Sequence, residues 1–387
     1  MSELLGGTTG QVLSKTSNTN MDFTWVTPQV GDITAVTAGT GITGGGTSGA
    51  VTVSFDQANF GGGQYAAGKN KIINGDFSIF QRSTSATMAA DATYYAPDRW
   101  KSYFTAGSTT VTWSRQTFTP GAAPVAGYEG QYFSRISAPS SFGATGEFGM
   151  YQPIENVQSF AGQQITVSFY AKADSARTST IFISQNFGSG GSSPVSTLTT
   201  QALTTSWTRY SLTVTLASIS GKTIGTNSAL NVGLLYTAGN ATGAPVMDVW
   251  GFQVEAGSTA TPFQTATGTV QGELAACQRY YQRANYVDGA TIMSGQAFTA
   301  TLCGGAAVAF PVQMRALPIS SVSGVTHFKA VNAAGSTFYT SSAVSLASNL
   351  NSVAFSLLTV ATGLVAGNAT TIFSNNANCY IEMSSEL

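Results

Sequence analysis

The stretch Ile165-Thr166-Val167-Ser168-Phe169-Tyr170-Ala171-Lys172 decides the fold class. Apolar residues at 165, 167, 169 and 171 alternate with Thr166, Ser168, Tyr170 and Lys172, the period of two that lets a strand bury one face. Tyr210, Leu212, Val214 and Leu216 keep the same beat between Thr-rich partners, and so do Leu230, Val232, Leu234 and Tyr236. Turn clusters such as Gly188-Ser189-Gly190-Gly191-Ser192-Ser193-Pro194 separate these runs. Alternating strands, polar connections and almost no helical periodicity predict an antiparallel sandwich over residues 67–265.

Two flanking zones read differently. From Gly31 to Phe55, Ile33, Val36, Ile42, Val51, Val53 and Phe55 stand between Gly-rich turns. These are short-strand signals with too little apolar mass for a private core. Residues 1–66 are therefore expected either to be disordered or to fold by sharing a core with other copies. Near Gln271–Ala284 the pattern changes: Leu274, Cys277 and Tyr281 fall at i, i+3 and i+7, one face of a short linking helix over 266–284. Residues 285–387 return to strand patterning, with Val308, Phe310 and Val312, then Cys379, Ile381 and Met383, and predict a second, smaller β-sandwich.

Composition excludes several classes. Charged residues make up 9% of the 387, far below the roughly 25% of an ordinary domain. The 16 Lys and Arg are spread thinly, so no basic cluster exists to neutralise phosphates, and nucleic-acid binding is not expected. No apolar run approaches the ~18–20 residues of a membrane helix. The start, Met1-Ser2-Glu3-Leu4-Leu5, lacks the basic and apolar regions of a secretory signal. Cys277, Cys303 and Cys379 are odd in number and widely spaced, which predicts reduced, mostly buried thiols of a protein made in a cytoplasm.

Several stretches resemble the fibre and receptor-binding proteins of tailed phages. Thr9-Gly10-Gln11-Val12-Leu13-Ser14-Lys15 followed by Trp25-Val26 is similar to the β-motif that ends or joins shaft segments. Asn70-Lys71-Ile72-Ile73-Asn74-Gly75-Asp76-Phe77, answered by Pro97-Asp98-Arg99-Trp100, resembles the opening of the phage jelly-roll domain related to carbohydrate-binding modules. Asp248-Val249-Trp250-Gly251-Phe252-Gln253-Val254 resembles its closing strand, and Glu273-Leu274-Ala275-Ala276-Cys277-Gln278-Arg279-Tyr280-Tyr281 a distal fibre element. The resemblance implies an all-β homotrimer in the virion, assembled in the host cytoplasm: an N-terminal trimeric β-stalk, a jelly-roll β-sandwich, a short linking helix and a C-terminal receptor-binding β-sandwich. Tail or fibre-adaptor proteins would meet the N-terminus, and host surface polysaccharide or an outer-membrane receptor the distal domain. A purely structural connecting or capsid-decorating protein and a polysaccharide-degrading fibre are the alternatives.

Candidate residues follow. Asn74, Asp76, Asp98, Arg99 and Trp100 mark the domain's frame in that family, where Asp76 or Asp98 is expected to pair with Arg99 over a packed Trp100; a ligand site is the competing reading. Related modules often hold a structural calcium through hard oxygen ligands, which makes Asp76 and Asp248 weak calcium candidates, and no cofactor is expected. If Tyr210 and Leu212 point inward, Trp207, Arg209 and Tyr170 point outward, supplying the aromatic faces and donors that sugars need. Distal-tip candidates are His327, Phe328 and Tyr339 around a Gly-rich loop at 332–336. Catalysis is not expected: no Gly-x-Ser-x-Gly elbow precedes a helical pattern, and phage depolymerases usually have longer β-helical cores.

Overall fold

The computed structural model describes residues 6–28, 35–39, 41–55, 68–89, 95–105, 110–125, 128–139, 142–305, 307–332 and 337–387. The chain divides into two compact units, 1–64 and 65–387.

In the first unit, β1 (Val12–Lys15) and β2 (Phe23–Val26) form a hairpin. β3 (Val36–Thr37), β4 (Ile42–Gly46) and β5 (Val53–Phe55) form a three-stranded sheet. Ile33 lies outside the described residues. Trp25 packs on Gly6 and Gly7, where a Cβ at Gly7 would come within 2.6 Å of the indole. Val12, Phe23, Ile42 and Val53 stay exposed, and none of the hydrophobic clusters among the described residues draws on this unit.

The second unit opens with a sandwich. Its strands are β6 (Ser85–Met88), β7 (Lys101–Thr105), β8 (Val111–Thr117), β9 (Tyr132–Ser137), β10 (Glu147–Glu155), β11 (Gln164–Ala173), β12 (Arg177–Asn186), β13 (Val195–Leu203), β14 (Thr208–Thr215), β15 (Ala229–Tyr236) and β16 (Val246–Ala256). One sheet runs β13-β12-β15-β10-β7, the other β14-β11-β16-β9-β8-β6. Ile165, Val167, Phe169 and Ala171 of the second sheet meet Ile181, Ile183, Val232 and Leu234 of the first in one core. The alternation read in the sequence is therefore the inward face.

β16 breaks that alternation. Ser168 faces Gln253, but Tyr170 faces Trp250, so Gly251 and Phe252 together oppose Phe169. Gly251 has φ +64°, and a Cβ there would sit 3.1 Å from the Tyr170 ring. It is the extra residue of a β-bulge that suits glycine. Met247 and Val249 point into the core before the bulge, and Phe252 and Val254 after it. The bulge thus turns Asp248 and Trp250 outward.

Helix α1 (Val270–Gln278) begins at Thr269, whose side chain accepts the Gly272 N–H. Its buried residues are Glu273 and Cys277, while Leu274 is exposed. The apolar stripe expected through Leu274 is displaced because the Glu273 carboxylate is needed inside. It accepts the backbone N–H groups of Asn74 and Thr267, both at 2.7 Å.

The remainder forms a second lobe of β17 (Tyr281–Tyr286), β18 (Thr291–Ala297), β19 (Leu302–Gly305), β20 (Val308–Ala309), β21 (Ile319–Val322), β22 (Phe328–Asn332), β23 (Tyr339–Ser348), β24 (Ser352–Val360), β25 (Ala369–Ser374) and β26 (Cys379–Ser384). β17-β26-β21 make one sheet and β19-β18-β25-β22-β23-β24-β20 the other. β19 also pairs with β24, so the larger sheet closes on itself and removes two open edges. Both sheets contribute to one core, and Cys277, Cys303 and Cys379 are free and buried. The chain is thus all-β with a single short α-helix among the described residues.

Candidate functional site

The frame residues are structural. Asn74 is fully buried at φ +57°; its amide donates to the carbonyls of Ile79 (2.9 Å) and Asp98 (3.1 Å), and its Oδ1 accepts the Ile79 N–H. Trp100 donates Nε1–H to the Asn74 carbonyl at 3.0 Å and packs on Phe77 and Phe252. Asp98 accepts the Gln81 backbone N–H and side-chain amide. Burial pushes its carboxyl up to about 6, against the pull of Gln81 and of Arg82, whose Nη1 lies 3.9 Å away. Asp76 is raised by burial and accepts from Ser78.

Arg99 pairs with neither expected aspartate. Its guanidinium forms an ion pair with Glu386, donates to the Pro153 carbonyl at 2.7 Å and lies 3.4 Å over the Tyr280 ring. The side chains of Arg99 and Glu386 are 1% and 5% exposed. Arg82 reaches Glu386 at 3.2 Å and covers the Tyr281 ring at 3.5 Å. This constellation clamps the sandwich to the second lobe. The calcium reading fares no better at Asp248, whose two oxygens are held by Arg135 at 2.6 and 2.7 Å. Among the described residues, no group of three or more His, Cys, Asp or Glu side chains is placed to hold a metal ion.

Tyr170, Trp207 and Arg209 do lie together, on the outer face of the six-stranded sheet. Arg209 and Trp250 flank Tyr170 in register, and the Arg209 guanidinium lies 5.8 Å from the Tyr170 ring. A small aromatic core of Phe118, Phe133, Trp250 and Phe263 fills this face, with Tyr170 and Trp207 packed against it. Arg209 donates from Nη2 to the Thr261 carbonyl and to Ser168, fastening the segment after β16. Tyr170 is wedged beside Trp250 (5.6 Å). Trp207 remains half-buried at the margin, on Phe118 and Phe133, with the Lys172 ammonium 5.4 Å from its ring.

The outer face of the five-stranded sheet brings together residues that sequence reading missed. Leu198, Phe182, Gly233, Tyr151 and Lys101 align in one row across all five strands. Four interstrand steps make the row roughly 19 Å long. A Cβ at Gly233 would lie 2.5 Å from that of Tyr151, and one at Gly149 would lie 2.8 Å from the Leu235 side chain. These strand glycines let neighbouring side chains lie low. Phe182 and Tyr151 face each other edge-on at 6.0 Å across Gly233, and Leu198 is 62% exposed. Thr200, Thr180 and Tyr103 border one side of the row; Ser196, Ser184 and Asn231 border the other. Burial raises the Tyr151 phenol, and burial with Glu147 raises that of Tyr103, so both remain donors. The sequence clue was a glycine inside each of two buried strands; the row itself exists only through register.

The distal candidates are dispersed. His327 sits on a single 3-10 turn with Nδ1 2.8 Å from Ser323 Oγ. Phe328 is fully buried, edge-on to Phe355 at 5.1 Å, so its ring presents no surface to a receptor. Tyr339 is half-buried against the second core, and residues 333–336 of the Gly-rich loop lie outside the described residues. Phe338, half exposed beside Lys329 (4.9 Å), is the aromatic that does face outward there.

No family model and no curated protein sequence matches the chain. Among solved structures it is similar to the enzymatically active domain of tailspike protein 4 of bacteriophage CBA120, with 12% identity and TM-score 0.31 over 49% of this chain and 21% of that one. It is also similar to the CBM22-1 xylan-binding domain of Paenibacillus barcinonensis Xyn10C, with 12% identity and TM-score 0.29 over 50% of this chain and 98% of that one. The family 11 carbohydrate-binding module of Clostridium thermocellum gives 13% identity and TM-score 0.26 over 46% and 99%.

Proposed function

We propose that this chain is a non-catalytic recognition subunit of a phage tail fibre, and that it binds host surface glycan on the outer face of its five-stranded sheet. The observation that carries the reading is the row Leu198–Phe182–Gly233–Tyr151, low aromatic and aliphatic surface bordered by the accessible hydroxyls of Thr200, Ser196 and Tyr103 and by the Asn231 amide. Sugar rings offer C–H faces to such a floor and hydroxyls to such a border. The sequence motifs that resemble those of tail-fibre proteins support the virion setting.

Binding without chemistry fits the spacing of the two β10 carboxylates. Glu147 and Glu155 stand eight residues apart on β10, roughly 27 Å along the strand. A glycosidase pair needs about 5–9 Å. Three copies joined through the first unit would multiply weak sites by avidity of ~10²–10⁴.

Adsorption of the purified protein to host cells, competed with extracted surface polysaccharide, tests the reading. Competition that is lost in Tyr151→Ala is expected. Absence of adsorption would favour a purely structural virion part, and release of new reducing ends would favour a degrading fibre.

A further inference from the structure

On the opposite sheet, four side chains form a second outward row. β11 and β14 pair so that Trp207 follows beside Lys172; Lys172 faces Asp248, and Asp248 faces Arg135. The Asp248 side chain is 3% exposed, and the Arg135 fork holds both of its oxygens. One guanidinium thus neutralises the one carboxylate. The Lys172 ammonium stands 3.7 Å from Asp248 Oδ2, beyond a good hydrogen bond, and 5.4 Å from the Trp207 ring centre. Its charge is surplus. With two cations on one carboxylate, the row sets one net positive charge beside a half-buried indole.

We propose that Trp207 and Lys172 form a subsite for an acidic sugar, a uronate-type unit whose carboxylate pairs with Lys172 while its C–H face lies on Trp207. Asp248 does not oppose this, because Arg135 already satisfies it with two matched bonds. The bulge at Gly251 is what makes the row possible, since it turns Asp248 outward and so recruits Arg135 and Lys172 to one face. The subsite is independent of the five-stranded face and differs from it in chemistry: that row takes neutral surface, this one needs a negative charge.

The test is titration of the full chain with tetragalacturonate and with its fully methyl-esterified form, read by tryptophan fluorescence and calorimetry. Tetragalacturonate is expected to bind about tenfold more tightly than the ester, and added salt to erase the difference. Lys172→Gln should abolish the preference and Lys172→Arg restore it, whereas Tyr151→Ala should leave it intact. Trp207 also packs on Phe118 and Phe133, so Trp207→Ala is read only alongside an unchanged thermal melt; the lysine variants stand without it. Equal affinity for acid and ester, no binding of either, or a preference that survives Lys172→Gln would overturn the proposal. Loss of the preference in Tyr151→Ala would also overturn it, by moving the acidic ligand to the other face.

Discussion

Trp250 and Phe252, two residues apart on one strand, point to opposite faces of their sheet. Phe252 stacks on Phe169 at 5.1 Å inside the sandwich, and Trp250 anchors the aromatic cluster outside it. Gly251, the bulge residue between them, sets both directions. Replacing it with alanine forces a side chain onto φ +64° and toward the Tyr170 ring. Gly251→Ala is expected to lower stability by about 1–3 kcal/mol in chemical denaturation. An unchanged midpoint would mean that the bulge is not under this constraint.

Arg99 and Glu386 form the second measurable element. Removing one partner leaves the other charged and buried, and Arg99→Ala should cost about 3–5 kcal/mol. The double change Arg99→Ala with Glu386→Gln should cost clearly less than the sum of the single changes. Additive losses would show that the two act independently.

Asp98 gives a pH dependence whose sign is fixed. Its folded carboxyl is raised to about 6 from 3.8, so between those values the native state holds more proton than the unfolded one. Stability therefore falls as pH rises from about 4 to 6 and is flat above that, as far as this group is concerned. Asp98→Asn should remove this slope, a difference on the order of 2–3 kcal/mol between wild type and variant across the window. Urea midpoints for both proteins at several pH values measure it; parallel curves would refute the assignment.

The row on the five-stranded sheet predicts a binding loss without a folding loss. Tyr151→Ala should weaken glycan binding by about 2 kcal/mol, near thirtyfold, as expected for a central aromatic contact. Its thermal midpoint should stay close to that of the wild type, because Tyr151 lies on the outer face and outside the main core. Isothermal titration with a neutral surface oligosaccharide measures the loss.

Self-association is expected to reside in residues 1–64. The three apolar clusters described belong to the larger unit, while Val12, Phe23, Ile42 and Val53 are left uncovered in the smaller one. Sedimentation of the whole chain at micromolar concentration should give a trimer, and residues 65–387 alone should give a folded monomer. A monomeric whole chain would remove the shared-core idea.

The sandwich was legible wherever one strand declares its own inward face, as Ile165–Lys172 does. Outward parity also placed Trp207, Arg209 and Tyr170 correctly, although packing then consumes Arg209 and Tyr170. Legibility failed where a residue's role depends on a distant partner. Leu274 looked like the helix's buried residue, but the unpaired N–H groups at Asn74 and Thr267 draw Glu273 inward instead. Arg99 had two aspartates close at hand in sequence and takes a glutamate far along the chain. The row of Phe182, Tyr151 and Leu198 depends on strand register, which no single strand encodes.

That clamp also sets a timetable for synthesis. Glu386 follows Arg99 by 287 residues, so a ribosome adding ~5–20 residues per second makes the guanidinium's partner roughly 15–60 s later. Until then the nascent sandwich holds a cation that is destined for burial and has no counter-ion. Chains cut short before position 386 keep that defect permanently. A chain lacking Glu386 is therefore expected to be less stable, by the cost of leaving the buried Arg99 guanidinium without its carboxylate.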